Sequence, residues 1–318
     1  MKFRTLRRSP VLALLLVFAL FAAVACGDDD DETETETGGD DTTEETTDGS
    51  GEDEAEVPEF DPGTTMAELQ EAGSMTVGTK FDQPLFGLRS ATSGDLEGFD
   101  VEIAKLIAEG IFGEGGGDNV EFVETPSRIR EEAIEQGDVD IVVATYTIND
   151  ERKERIDFAG PYYIAGQDIM VAADDDSISG VEDLNGKKVC SVQGSTSLDN
   201  LIAMAPEADA SLTFDTYSLC AEALGDGRVD AVTTDNIILL GLVDDSDGEF
   251  KLVGNTFTEE PYGIGLPKDD QEFRDFINDR LEEIYESGEW ADAYESTAGQ
   301  VDDSDPEPPP VDRYESTP

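Results

Sequence analysis

Ala133-Ile134-Glu135-Gln136-Gly137-Asp138-Val139-Asp140-Ile141-Val142-Val143-Ala144-Thr145 is echoed further along by Ala223-Leu224-Gly225-Asp226-Gly227-Arg228-Val229-Asp230-Ala231-Val232-Thr233-Thr234-Asp235. Each copy reads as the end of a helix, a glycine turn, a Val-Asp pair and an apolar, β-branched strand. Strands of that kind belong in parallel sheets covered on both faces. The echo therefore predicts two similar α/β lobes, although two ordinary αβ units could also match by coincidence. Ligands of open α/β sheets lie beyond the carboxyl ends of the strands. The copies end in Thr145 and Asp235, so a cleft between lobes would bring these two residues face to face.

The surrounding periodicity fits that plan. Ser74–Thr79, Val120–Val123, Asp140–Thr147, Lys188–Val192 and Arg228–Thr234 read as strands. Phe99, Ile103, Leu106, Ile107 and Ile111 recur at helical spacing, and further helices are predicted from Thr125-Pro126, Ser197 and Tyr217. Strand and helix alternate, which implies largely parallel α/β sheets.

Lys2, Arg4, Arg7 and Arg8 precede an apolar run, Val11–Val24, in the manner of a secretory signal over residues 1–25. Ala23-Val24-Ala25-Cys26 resembles a bacterial lipobox with Ala where Leu is usual, which implies cleavage, lipidation of Cys26 and anchoring at the outer face of the cell membrane; a plain signal peptide or an uncleaved anchor is the alternative. Residues 26–61 are mostly Asp, Glu, Thr and Gly, and read as a disordered tether. Residues 302–318, with their proline run, read as a disordered tail. Beyond Cys26 the chain has Cys190 and Cys220, an even pair that in an exported protein reads as a disulfide, with two buried thiols as the alternative.

The formal net charge is −56, without a single histidine. A basic nucleic-acid footprint is absent. Acidity on this scale points to a salt-adapted host, because salt screens self-repulsion. The melting temperature is accordingly expected to rise with salt; indifference to salt would remove that reading.

Four strand exits carry candidate ligand groups. The first is Thr145 to Arg152, where Asn149 suits a helix N-cap and Arg152 falls in the first turn, a place where the helix dipole disfavours a cation. Hydroxyls from Thr145 and Thr147 with a guanidinium match a carboxylate; an Arg paired with nearby acids is the alternative. The second is Gly194-Ser195-Thr196-Ser197, a helix start able to receive an anion. The third is Thr234-Asp235-Asn236, whose carboxylate suits an ammonium group. The fourth is Thr79-Lys80-Phe81-Asp82-Gln83-Pro84. Together they outline a site for an amino acid.

At these residues a family resemblance emerges. Gly98-Phe99-Asp100-Val101-Glu102-Ile103-Ala104 resembles the signature of the family 3 extracellular solute-binding proteins. Thr147 with Arg152, Phe158-Ala159-Gly160-Pro161-Tyr162-Tyr163, Cys190 to Ser197 and Glu259-Glu260-Pro261-Tyr262-Gly263-Ile264-Gly265 continue it, over about residues 71–297. Lys80 to Pro84 and the cysteine pair look most like the actinobacterial glutamate-binding lipoproteins of ABC importers.

The resemblance implies a two-lobe periplasmic-binding-protein type II fold with two crossover hinge segments. Lobe 1 would be residues 74–164 plus 258–297, and lobe 2 residues 165–257. It implies that Arg152, Thr147, Thr145, Thr196 and Ser195 hold an α-carboxylate and Asp235 an α-ammonium. Lys80 and Arg130, aided by Ser127, would take an acidic side chain; some relatives that bind basic amino acids carry an acid at the Lys80 position. Either cation could instead be a solvated surface residue, which would leave glutamine or asparagine as ligand. Tyr146 and Phe81 are pocket walls or core. The partners implied are an ABC permease with its ATPase, and the protein is expected to act as a monomer with no cofactor and no metal.

Two other classes compete. A dehydratase-like enzyme on the same scaffold needs a poised acid or base, and the chain has no histidine, no Walker loop and no Ser-His-Asp set. A ligand-sensing receptor subunit would present the same ligand site.

Overall fold

The computed structural model describes residues 57–314. The predicted leader, Cys26 and the tether up to residue 56 lie outside the described residues, as do residues 315–318. The first half runs α1 (Thr65–Ala72), β1 (Met75–Thr79), β2 (Asp82–Gln83), β3 (Gly87–Arg89), β4 (Leu96–Glu97), α2 (Phe99–Phe112), β5 (Val120–Glu124), α3 (Arg130–Gln136), β6 (Ile141–Val142), α4 (Asp150–Lys153) and β7 (Asp157–Ala165). Then come β8 (Gln167–Ala172), β9 (Val189–Val192), α5 (Thr196–Met204), β10 (Thr213–Phe214), α6 (Tyr217–Gly225), β11 (Ala231–Asp235), α7 (Asn236–Asp244) and β12 (Phe250–Leu252). The chain ends with β13 (Glu260–Leu266), α8 (Gln271–Ser287) and α9 (Glu289–Ser296).

The strands form two five-stranded sheets, ordered β5-β1-β6-β13-β7 and β10-β9-β11-β8-β12, plus a small sheet β2-β3-β4. The two large sheets share one plan. In each, an edge strand, its neighbour and a central strand run parallel (β5, β1, β6; β10, β9, β11), and two further strands pair antiparallel. The sheets are thus mixed rather than largely parallel. Strands that leave the hinge (β8 and β13) run against the strands that arrive at the cleft, and this direction is forced by the chain passing between lobes twice.

The sequence echo has a physical cause. Gly137, at φ 70°, and Gly227, at φ 67°, make the left-handed turn after each helix. Asp140 then accepts from the Thr76 N–H at 2.7 Å while its own N–H donates to the Thr76 carbonyl at 2.8 Å. Asp230 does the same with Lys188, at 2.8 Å and 2.7 Å. Each Val-Asp pair therefore sets the entry of a central strand against its parallel neighbour, with Val139 and Val229 buried beneath.

The crossovers lie side by side. Ala165 pairs with Glu260, the Gln167 N–H donates to Thr258 Oγ1 at 3.0 Å, and the Phe257 N–H donates to the Gln167 carbonyl at 3.0 Å. Phe99 anchors α2 in an aromatic cluster, edge-on to Trp290 at 5.4 Å and Tyr294 at 5.3 Å. That anchoring turns the neighbouring Asp100 toward the end of β6. In the second lobe Cys190 of β9 is disulfide-bonded to Cys220 of α6, with Cα atoms 5.6 Å apart.

Two terminal expectations need correction. Residues 302–314 are not a free tail but a strap docked on the first lobe. The Asp312 N–H donates to the Gly160 carbonyl at 2.8 Å, the Phe158 N–H donates to the Tyr314 hydroxyl at 2.8 Å, and Pro309 is buried. Lys153 and Arg274 sit over the Tyr314 ring at 4.1 and 4.6 Å, and Arg313 pairs with Asp279 and Glu282. At the other end, Phe60 packs edge-on against Phe276 at 5.4 Å, so the last tether residues belong to the fold. A few aromatic anchors outweigh a polar composition in both places. Tyr314→Ala is expected to destabilise the protein by about 1–3 kcal/mol through one lost hydrogen bond and two cation–π contacts; thermal unfolding measures it, and an unchanged midpoint would mean the strap is ornamental to stability.

Candidate functional site

The first strand exit is shaped by Asp100. Its Oδ2 accepts from the Thr145 N–H at 2.8 Å, and its Oδ1 accepts from the Tyr162 hydroxyl at 2.5 Å. Thr145 stands at φ 46°, a costly left-handed conformation for a β-branched residue. The strand predicted over residues 140–147 therefore stops at Val142, and the chain turns toward the cleft. Burial, opposed by the Tyr162 and Thr145 hydrogen bonds, raises the Asp100 carboxyl to about 7.

After this turn Asn149 caps α4, its side chain accepting from the Arg152 N–H at 2.9 Å. The cap fixes Arg152, which is buried. Arg152 donates through NH1 to the Thr147 carbonyl at 2.6 Å and through NH2 to the Gly194 carbonyl at 3.3 Å, and Nε lies 3.4 Å from Glu131. Of the five N–H groups an arginine carries, these contacts use three, and each terminal nitrogen keeps one. That remainder matches a bidentate carboxylate.

Arg130 and Arg152 both stack on Tyr146, with guanidinium carbons 3.9 and 4.8 Å from the ring centroid. Tyr146 is fully buried and joins the two cations to the core. Arg130 donates to the Ala144 carbonyl at 3.0 Å, while its Nε is buried without a hydrogen-bond partner. Lys80 donates to Ser127 Oγ at 2.8 Å. Both cations are about as buried as core residues, at 2% and 3% exposure, so neither is the solvated surface residue that the sequence also allowed. Among the described residues, neither has a carboxylate within salt-bridge distance. Burial, reinforced by Arg130, pushes the Lys80 ammonium well below the ordinary lysine value. Burial, with Arg152 nearby, takes Arg130 down to about 10.

From the other lobe comes Asp235, at the end of β11 and 3% exposed. Its Oδ2 accepts from the Tyr262 hydroxyl at 2.6 Å, and its Oδ1 is buried without a partner. Burial, then the nearby Glu260 charge, raises Asp235 to about 7. Thr147 Oγ1 meets Thr196 Oγ1 across the cleft at 3.4 Å.

Two predicted residues have other partners. Ser195 is the N-cap of α5: its hydroxyl donates to the Val192 carbonyl at 2.7 Å and accepts from the Leu198 N–H at 3.1 Å. Thr145 Oγ1 lies 2.8 Å from the Ala144 carbonyl and 3.0 Å from Gln83 Oε1, its one proton directed between them. Neither hydroxyl can donate to a ligand without giving up a bond. Phe81 is partly buried, with Arg89 stacked on it at 4.0 Å. Glu131, Gln83, Tyr262 and Glu260 also contact site residues, and the sequence does not mark them for that role. Their signal is strand alternation or helix phase, which marks Glu260 as buried beside an exposed Glu259, and it cannot say what they face.

The lobes meet around this site. Arg128 grips Asp215 through Nε at 2.7 Å and NH2 at 3.2 Å. Asp82 Oδ2 accepts from the Tyr217 N–H at 2.9 Å and so caps α6 of the opposite lobe. A crevice of about 220 Å³ remains over Arg152, lined by Ser127, Arg128, Glu131, Asn149, Gly194 and Asp199, among others. Among the described residues no cluster of His, Cys, Asp or Glu could hold a metal ion, and no helix is long and apolar enough to cross a membrane.

Residues 75–300 match the bacterial extracellular solute-binding proteins, family 3. The chain belongs to that family. It is 45% identical over 226 residues to glutamate-binding protein GluB of Corynebacterium glutamicum, covering 69% of this chain and 76% of the relative. It is 36% identical over 284 residues to the ABC transporter glutamine-binding protein GlnH of Bacillus subtilis, covering 89% and 94%. Among solved structures, an ancestral arginine-binding protein bound to arginine superposes with a TM-score of 0.66 at 40% identity, covering 71% of this chain and 98% of that one.

Gly194 shows how closely the lobes approach. It lies at φ 74°, and a Cβ there would come within 2.6 Å of Arg128 Cα, a backbone atom of the other lobe. Gly194→Ala is expected to hold the lobes apart and weaken ligand binding about tenfold or more, with a much smaller loss of thermal stability. Titration beside thermal unfolding checks this, and wild-type affinity would show that closure does not need this approach.

Proposed function

We propose that the protein captures an amino acid, glutamate above all, between its two lobes and presents it to an ABC permease and its ATPase. The observation that carries the acidic ligand is the pair Lys80 and Arg130, two buried cations with no carboxylate partner among the described residues. Burying unpaired charge is expensive, and a ligand carboxylate removes that cost. Similarity to GluB of Corynebacterium glutamicum supports the same ligand.

In this reading the terminal N–H groups of Arg152 and the Thr147 hydroxyl hold the α-carboxylate, with N–H groups of the first turn of α5, at Thr196, as further donors. Asp235 takes the α-ammonium on its unpartnered Oδ1. Lys80, Ser127 and Arg130 take the side-chain carboxylate. Contacts from both lobes favour the closed state, which Arg128–Asp215 and Asp82 at the start of α6 then hold. The mechanism is capture and presentation without covalent chemistry. Lipidation of Cys26 would keep the protein beside its permease. Glutamine is the second reading, supported by the 36% identity over 284 residues to the glutamine-binding protein GlnH of Bacillus subtilis.

Calorimetric titration with glutamate, aspartate, glutamine and arginine tests the ligand. Glutamate is expected to bind tightest, Arg152→Ala to abolish binding, and Lys80→Ala or Arg130→Ala to shift preference toward glutamine. Tighter binding of glutamine or arginine by the wild type would keep the capture mechanism and reject the acidic ligand. The affinity should also depend on pH in two directions. Asp235 titrates near 7 without ligand, and only its ionised form binds an ammonium, so affinity falls as pH drops below about 7, with proton release. Lys80 is depressed, and only its charged form attracts a carboxylate, so affinity also falls on the alkaline side, with proton uptake. A flat profile would contradict both assignments.

A further inference from the structure

We propose that Glu260 is a positioning residue that joins the hinge to the ammonium-binding half of the site, where it directs the Thr196 proton and adds its negative charge behind Asp235. The proposal rests on the amino-acid reading of the site given above. Glu260 begins β13, pairs with Ala165 in the adjacent crossover and is 3% exposed.

Its carboxylate accepts every hydrogen bond it makes. Thr196 Oγ1 donates to Oε2 at 3.0 Å, Thr258 Oγ1 donates to Oε1 at 2.8 Å, and Asn200 Nδ2 donates to Oε1 at 3.1 Å. Among the described residues no Lys or Arg lies within salt-bridge distance of it. A buried carboxylate held only by neutral donors keeps its full field, which low local polarity strengthens.

The partners belong to two different structures. Thr258 sits in the second crossover, where its hydroxyl also accepts from the Gln167 N–H of the first at 3.0 Å. Thr196 and Asn200 lie one turn apart on α5, whose first turn faces the cleft. Asn200 also donates to Gln167 Oε1 at 3.0 Å, and Gln167 Nε2 donates to the Ser197 carbonyl and to Thr233 Oγ1, both at 2.9 Å. One carboxylate thus ties the hinge ribbon to the ligand-facing turn of the second lobe.

Two consequences for recognition follow. Thr196 has one hydroxyl proton, and it points at Glu260. What Thr196 turns to the ligand is therefore a lone pair, which suits an ammonium and not a carboxylate, so the Thr196 side chain moves from the carboxylate set of the sequence reading to the ammonium set. Second, Asp235 bonds to Tyr262 from β13 and feels the charges of Glu260, Arg152 and Arg130, with Tyr217 of α6 in the same electrostatic neighbourhood. Of these, only Glu260 is a second carboxylate. A ligand with an α-ammonium relieves the repulsion between the two acids, and one without it does not. Glu260 thus sharpens discrimination against compounds that lack the amino group while making no demand on the ligand side chain.

The experiment uses the full chain as wild type, Glu260→Gln and Glu260→Asp, with glutamate and with glutarate, the analogue lacking the α-ammonium. Carboxyl-carbon NMR follows Asp235 in the ligand-free protein, and calorimetry gives both affinities. In Glu260→Gln the Asp235 midpoint should move about one pH unit lower, and the preference for glutamate over glutarate should fall about tenfold or more, through glutamate rather than glutarate. Glu260→Asp keeps the charge but shortens the reach to Thr196, so it should hold the midpoint near the wild-type value and lose part of the preference. A merely structural role would weaken both ligands alike and leave the midpoint in place, which overturns the proposal, as does wild-type preference in both variants. If the wild type itself does not prefer glutamate, or Asp235→Asn keeps that preference, the assignment of Asp235 to the ammonium fails instead, and the midpoint in Glu260→Gln still decides whether the two acids are coupled.

Discussion

Three cationic side chains, Lys80, Arg130 and Arg152, are withdrawn from water where the two sheets meet, and much of the surrounding structure exists to make that tolerable. Desolvating a cation costs several kcal/mol even after relaxation. The protein offsets part of this with groups that carry no full charge: the Tyr146 ring between the two guanidiniums, the carbonyls of Ala144 and Thr147, and the Ser127 hydroxyl. Carboxylate compensation is incomplete. Glu131 is within salt-bridge distance of Arg152 only, while its charge also reaches Arg130, and Asp82 and Asp100 act on Lys80 without a salt bridge. The remaining deficit of negative charge is what the proposed acidic ligand would offset, since a carboxylate that enters recovers an interaction already prepared by the fold.

That site requires two chain segments to arrive from opposite directions at the same depth. The shared sheet order meets the requirement, because each central strand leads the chain to the cleft, at Thr145 just past the end of β6 on one side and at Asp235, the last residue of β11, on the other. The repeated Asp140–Thr76 and Asp230–Lys188 pairs fix the register at which each central strand begins. A one-residue slip there would turn each strand's side chains to the wrong face. The hinge ribbon sets the remaining freedom. The chain crosses twice, at Ala165–Gln167 and at Phe257–Glu260, and the crossings are bonded to each other, so the lobes can turn about one ribbon instead of shearing independently.

Much of this was legible in the sequence, for identifiable reasons. Strand and helix periodicity, the glycine turns and the echo specify two α/β units, because burial patterns and left-handed turns are local properties. The cations at strand exits were legible because their types are chemically distinctive. Three features were not. Sheet direction beyond the βαβ units depends on the crossovers, which leave no periodic mark. The strap over residues 302–314 has a polar, proline-rich composition, and its docking rests on Tyr314 and Pro309, single residues that meet a surface made by distant elements. The hydroxyls were ambiguous for a third reason. Ser195, Thr145 and Thr196 share a residue class and a place near the cleft, but which proton points where is decided by Val192, Gln83 and Glu260, neighbours that only the folded chain supplies.

The formal charge of −56 sharpens the division between long-range and short-range electrostatics. At a distance the protein repels a dicarboxylate, and screening over about 8 Å at physiological ionic strength only weakens that field. For the proposed acidic ligand, steering therefore cannot be the source of selectivity. In the proposed reading it arises inside, where closure would remove water and the Arg152 guanidinium, the unpartnered Arg130 Nε and the Asp235 Oδ1 would act at contact distance in a medium that screens little. The acidic surface and the cationic interior are compatible because they act over different lengths. The first governs how the protein sits in its solvent, and the second would act only on a molecule that both lobes have already enclosed.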